Sequence, residues 1–124
     1  MTSKSAYLFL RISMGIFMAC HGLMKLLSGP SFLQQLGSMP PFVPDIPALH
    51  TALGVVATAI ELVGGILVAL GIQQRLACLL IVTVMLSAFS YHLQQVTGFT
   101  SLMQNTWPLE IACVFGALAF LKKS

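Results

Sequence analysis

Glu61 stands near the middle of ALGVVATAIELVGGILVALG, a run from Ala52 to Gly71 in which it is the only charged residue. Five further ionisable side chains, Arg11, His21, Lys25, His92 and Glu110, sit in similar apolar surroundings. Acids and histidines sharing a sheltered pocket are what proton-coupled chemistry requires, and an ammonium beside a carboxylate keeps the latter charged. His21, His92, Glu61 and Glu110 are also metal-ligand types, but no HxxE, ExxH or HxxxH pair shares a helix, so no metal is expected.

The solvent around these groups follows from composition. Of 124 residues, 57% are hydrophobic and only 7% charged, which excludes an ordinary water-soluble domain. A helix needs about 20 apolar residues to cross ~30 Å of hydrocarbon. Four runs answer that requirement: 6–27, 49–70, 76–96 and the shorter 107–121. The fold class expected is therefore all-α, an integral membrane four-helix bundle forming a single domain over residues 1–124. The first run is read as a retained span, because Arg11 interrupts its front and no small-x-small cleavage site follows.

Lys4, Arg75, Lys122 and Lys123 fall on one side of such a bundle, whereas the opposite loops carry Asp45, with Lys25 at a helix end. The positive-inside rule then puts both termini in the cytoplasm. This asymmetry also accounts for the net charge of +3, and nucleic acid is not needed as a partner. Gly71–Gln74 is short and forces the second and third spans into an antiparallel pair. The long outer loop between the first two spans reads GPSFLQQLGSMPPFVPDIP. Ser31 is expected to cap a short helix that Gly37 ends, with Phe32, Leu33, Leu36 and Phe42 dipping into the membrane interface. The three cysteines, Cys20, Cys78 and Cys113, have no CxxC spacing and read as small buried hydrophobes. Ala112 and Gly116 form a small-xxx-small face suited to a helix contact within or between chains, so a homo-oligomer is compatible with the sequence.

At ~1.5 Å rise per residue, Arg11 lies ~9 Å from the inner surface, Glu61 ~15 Å, Glu110 ~20 Å, and His21 and His92 ~25 Å. Helical side chains lean toward the helix N-terminus. His21, Lys25 and His92 therefore lean inward while Glu61 and Glu110 lean outward, so the five are expected to converge. Arg11 leans away from Glu61. A stripe of Arg11, Gly15, Met18, Gly22 and Lys25 faces one of His50, Gly54, Ala57, Glu61 and Gly65, and its small residues permit close approach. A charge at mid-bilayer costs about 2.5–3.5 kcal/mol on insertion scales, so these groups must face one another, water or a ligand.

RISMGIFMACHGLMKL, GPSFLQQLGSMPPFVP, ELVGGILVALGIQQRLACLLI and AFSYHLQQVTGF together resemble the DoxX family of small four-helix membrane proteins. The most specific part is E-x-x-G-G-x-x-x-x-x-G-x-x-x-R, from Glu61 through Gly64, Gly65 and Gly71 to Arg75. The resemblance implies a bacterial-type inner membrane location and links to membrane oxidoreductase complexes and to oxidative or thiol stress. It carries over Arg11, Lys25, Glu61 and Arg75, with His21 and His92 at places where family members often have polar residues. The function expected is a membrane subunit of an oxidoreductase system, with a quinone or similar amphiphile at a substrate-binding cluster of Glu61, His21, His92, Lys25, Glu110 and Arg11. No flavin, haem or iron-sulfur motif occurs, so electrons would come from a soluble or membrane redox partner. The alternative is a non-catalytic carrier, ligand binder or scaffold whose polar cluster is a pocket or interhelical glue.

Overall fold

A computed structural model describes residues 2–121, so Lys122 and Lys123 of the orientation argument lie outside the described residues. Six helices follow one another among them: α1 (Ser3–Leu27), α2 (Pro30–Ser38), α3 (Pro47–Leu70), α4 (Gln74–Leu93), α5 (Phe99–Gln104) and α6 (Trp107–Phe120). Helices α1, α3 and α4 are long and apolar enough to cross a membrane. Helix α6 is apolar but has 14 residues, which at ~1.5 Å each covers ~21 Å, less than a typical hydrocarbon core.

Local chemistry sets the boundaries. Thr2 caps α1 through its side-chain oxygen, which accepts from the Ser5 amide at 3.1 Å, so the helix starts earlier than the apolar run does. Helix α2 departs from expectation at both ends. Pro30 occupies its first turn after Gly29 at φ 96°, no side chain caps it, and Ser31 is exposed. Gly37 lies inside the helix, because its role is close packing and not termination. Helix α3 ends at Gly71 with φ 74°, a left-handed position that glycine takes without Cβ strain. The amide of Ile72 then closes back on the Leu67 carbonyl at 3.0 Å, and α4 begins three residues after Gly71. Helix α5 in the TGFTSLMQNTW segment was not expected from sequence.

Helix α1 packs on α3, α3 on α4, α4 on α6, and α2 lies against α3. Met18, Val68, Cys78, Ile81, Phe115 and Leu118 form the fully buried centre. Ala112 is buried in it, and a Cβ on Gly116 would lie 4.0 Å from Val82 of α4, so this small face serves a contact within the chain. At the α3–α4 turn, Gln74 accepts from the Tyr7 hydroxyl at 2.7 Å and donates to the Leu118 carbonyl at 2.8 Å, tying α1, α4 and α6 together. Arg75 donates to the Ala119 carbonyl at 3.3 Å beside it. Phe9, Met24, Leu27, Val63, Leu70 and Leu76 point outward, the inverse of a soluble surface and the expected arrangement against acyl chains. Cys20 and Cys113 share that outward surface, so of the three cysteines only Cys78 is a buried hydrophobe.

Candidate functional site

The crossing of α1 and α3 is closer than side chains allow. A Cβ on Gly22 would fall 2.5 Å from the backbone nitrogen of Leu62, and one on Gly65 would fall 2.5 Å from that of Ala19. Gly15 is pressed in the same way against Gly65 and Ala69. Lys25 lies three residues beyond Gly22 on the same face, and Glu61 immediately precedes Leu62. With the backbones this near, the lysine stem reaches the acid: Lys25 Nζ stands 2.7 Å from Glu61 Oε1. Glu61 is 0% exposed, whereas the Lys25 side chain keeps 24% exposure.

The pair leaves polar capacity unused. Glu61 Oε2 is buried with no hydrogen-bond partner, and so is Oγ1 of Thr58, one turn earlier on α3. Buried polar atoms in proteins almost always have partners, so the open acceptor at Glu61 Oε2 is capacity for one more hydrogen bond.

Glu61 and Lys25 stand in the wall of a cavity of about 240 Å³. Leu53, Val56, Ala57 and Ile60 of α3 face Val84, Met85, Ser87 and Ala88 of α4 across it. The end of α2 and the proline-rich segment roof it with Leu36, Met39, Pro40, Phe42 and Val43, and Trp107 of α6 contributes an edge. Leu36 and Phe42 thus turn toward this cavity, and Leu33 is buried with its carbonyl where a Gly54 Cβ would be. A cavity of ~150 Å³ already admits a benzene-sized ring, so this one accommodates a ring head group while a long tail must extend outside it. Its two hydroxyls are committed as donors: Thr83 donates to the Leu79 carbonyl and Ser87 to that of Thr83, both at 3.0 Å. A larger hollow of about 570 Å³ runs outside the α1–α3 crossing, lined by apolar residues such as Ile12, Ile16, Leu23 and Ile66. Its lining holds no charged or hydroxyl side chain, and its one ionisable group is the Cys20 thiol.

The DoxX family model matches residues 6–94. The chain belongs to the DoxX family. No curated protein and no solved structure matches it. The matched region of this DoxX protein runs from α1 to the end of α4, so it contains the ion pair and the cavity roof, while α5 and α6 lie beyond it.

Of the six side chains expected to share a site, the structure brings together Lys25 and Glu61. Arg11 donates to the Ala69 carbonyl at 3.5 Å and lies over the Tyr7 ring, two turns along α3 from the acid. Its lean toward the α1 N-terminus takes it there. His21 sits one position off the buried stripe and rests on Phe17, ring centroids 4.5 Å apart. His92 Nδ1 lies 2.9 Å from Asn105 Oδ1, and its ring stands edge-on to Trp107 at 5.1 Å. It therefore supports the cavity from behind Trp107 and does not line it. Glu110 is exposed in the first turn of α6, where the helix dipole favours a carboxylate. The expected convergence of five groups reduces to one pair. Trp107 was missed as a site residue, since its place at the end of an apolar run reads equally as an interface anchor. His50 is used structurally, with Nε2 2.9 Å from the Pro44 carbonyl, fastening the proline-rich roof to α3.

Proposed function

We propose that this DoxX protein is a multi-pass inner-membrane subunit of an oxidoreductase system and that its cavity holds the head group of a quinone or similar amphiphile. The observation that carries this reading is a buried carboxylate, ion-paired through one oxygen and unpartnered at the other, in the wall of a cavity lined mainly by apolar side chains. Ligand sites have this character: an apolar slot with a few convergent polar groups that fix orientation. The Lys25–Glu61 pair supplies an acid–base couple at such a slot, and the tail leaves between the helices into the bilayer. Electrons reach the head group from a redox partner, since the sequence has no flavin, haem or iron-sulfur motif. In this reading α6 serves as the fourth span and both termini face the cytoplasm with Lys4, Arg75, Lys122 and Lys123.

Quinone content tests it. The full chain, purified in mild detergent from quinone-containing membranes, is expected to carry close to one extractable quinone per chain. Ala88→Trp, which fills the cavity from α4, is expected to keep its helix content and lose the quinone. A native protein without quinone, or a variant retaining all of it, overturns the reading and favours the non-catalytic carrier or scaffold.

A further inference from the structure

We infer that the cavity, taken as the amphiphile site proposed above and resting on that reading, selects the reduced, hydroxyl-bearing form of the head group over the oxidised dione. The reasoning is an inventory of donors and acceptors. A carboxylate accepts only, and Glu61, held by the Lys25 ammonium at 2.7 Å, is left with an unmatched acceptor at Oε2. Thr83 and Ser87 have given their protons to helix carbonyls, so what they offer the cavity is also lone pairs. The Lys25 ammonium retains N–H groups beyond the one directed at Glu61.

A dione oxygen brings lone pairs alone. It can accept from Lys25 but can do nothing for Oε2, and its approach sets acceptor against acceptor. A hydroquinone oxygen does both, donating its proton to Oε2 while accepting from Lys25. The reduced form therefore makes one more hydrogen bond, to a charged acceptor, and relieves a buried orphan. Hydrogen bonds to charged groups are among the stronger ones, and one of them corresponds to about a tenfold to a hundredfold preference. By linkage, each tenfold raises the midpoint potential of the bound two-electron couple by about 30 mV relative to the free couple.

Calorimetry on the full chain in phosphatidylcholine nanodiscs, under anaerobic conditions, tests this with three probes: decylhydroquinone, decylbenzoquinone and the dimethyl ether of decylhydroquinone. The ether keeps the ring and tail but has no proton to donate. The expected result is that the hydroquinone binds at least tenfold tighter than either of the others. Glu61→Gln brings an amide donor that serves a dione, so in the folded variant the preference over benzoquinone is expected to fall below threefold. Equal binding of hydroquinone and its ether, tighter binding of the dione, or a preference unchanged in folded Glu61→Gln overturns the inference and leaves the amphiphile site standing. Binding of none of the three overturns both.

Discussion

Replacing Lys25 by methionine keeps the length of the side chain and removes its charge. Glu61, 0% exposed, is then left without its counterion. Breaking a buried pair from one side costs about 3–5 kcal/mol, because the remaining charge has lost both water and partner. The reverse change is gentler. Glu61→Met leaves Lys25 with 24% of its side chain exposed, in the last turn of α1, where the helix dipole favours a cation. That change is expected to cost about 1.5–3 kcal/mol, the scale of a lost charged hydrogen bond. Removing both charges in Lys25→Met/Glu61→Met deletes the desolvation problem as well as the attraction, so the double variant is expected within about 1 kcal/mol of the native chain. Unfolding by added dodecyl sulfate in mixed micelles, followed by helix circular dichroism, reads all four proteins. The signature is the order: Lys25→Met worst, Glu61→Met intermediate, the double variant near native. A Lys25→Met protein within 1 kcal/mol of native, or a double variant as weak as the sum of the singles, refutes the view that Glu61 is a buried charge dependent on Lys25.

Adjacent glycines give a contrast within one helix. Gly65→Ala drives a Cβ to 2.5 Å from the Ala19 backbone and is expected to cost about 1–3 kcal/mol in the same assay, whereas Gly64→Ala meets only the end of the Ile81 side chain at 3.3 Å and is expected to be tolerated; equal effects would refute the close crossing. For orientation, a cysteine placed at the exposed Ser3 or Ser38, with Cys20 and Cys113 changed to alanine and the buried Cys78 kept, is expected to react differently at the two positions in intact cells. An impermeant maleimide should label position 38 from outside and position 3 only after lysis, and the opposite pattern inverts the topology.

The family signature from Glu61 to Arg75 was legible because each of its residues has a local reason. Gly65 admits α1, Gly71 turns the chain through a left-handed cap, and Arg75 reaches the end of α6. The meeting of Lys25 and Glu61 was legible too, from stripe geometry and the lean of helical side chains. What failed depended on which way a residue faces or on contacts distant in sequence. Glu110 reads as a buried acid from its depth alone, but in a helix that starts at Trp107 it is a first-turn residue, and it is exposed. His92 reads as a site donor, yet its partner Asn105 arrives through α5, a six-residue helix with no periodic apolar signal. His21 missed by one position, about 100° of helix, which is enough to move a side chain from the crossing to the flank.

The same small residues that make the ion pair also decide where the cavity is. At the α3–α4 turn Gln74 and Arg75 tie the start of α4 to the end of α6, and Gly64 lets Ile81 close against α3. Toward the long loop no glycine joins α3 to α4; Val56 and Ile60 face Val84 and Ala88 across open space. On its other side α3 is gripped by α2, because Gly37 sits against the His50 backbone and Gly54 against that of Leu33. That grip, with the His50–Pro44 contact, fixes the roof over the open end. In the proposed reading, chemistry and fit are thereby carried by different elements. The α1–α3 crossing holds the charged pair, and the roof residues Met39, Phe42 and Val43 shape the space beside it. On that reading, exchanging roof side chains is expected to change which head group the cavity binds while the Lys25–Glu61 geometry stays as it is.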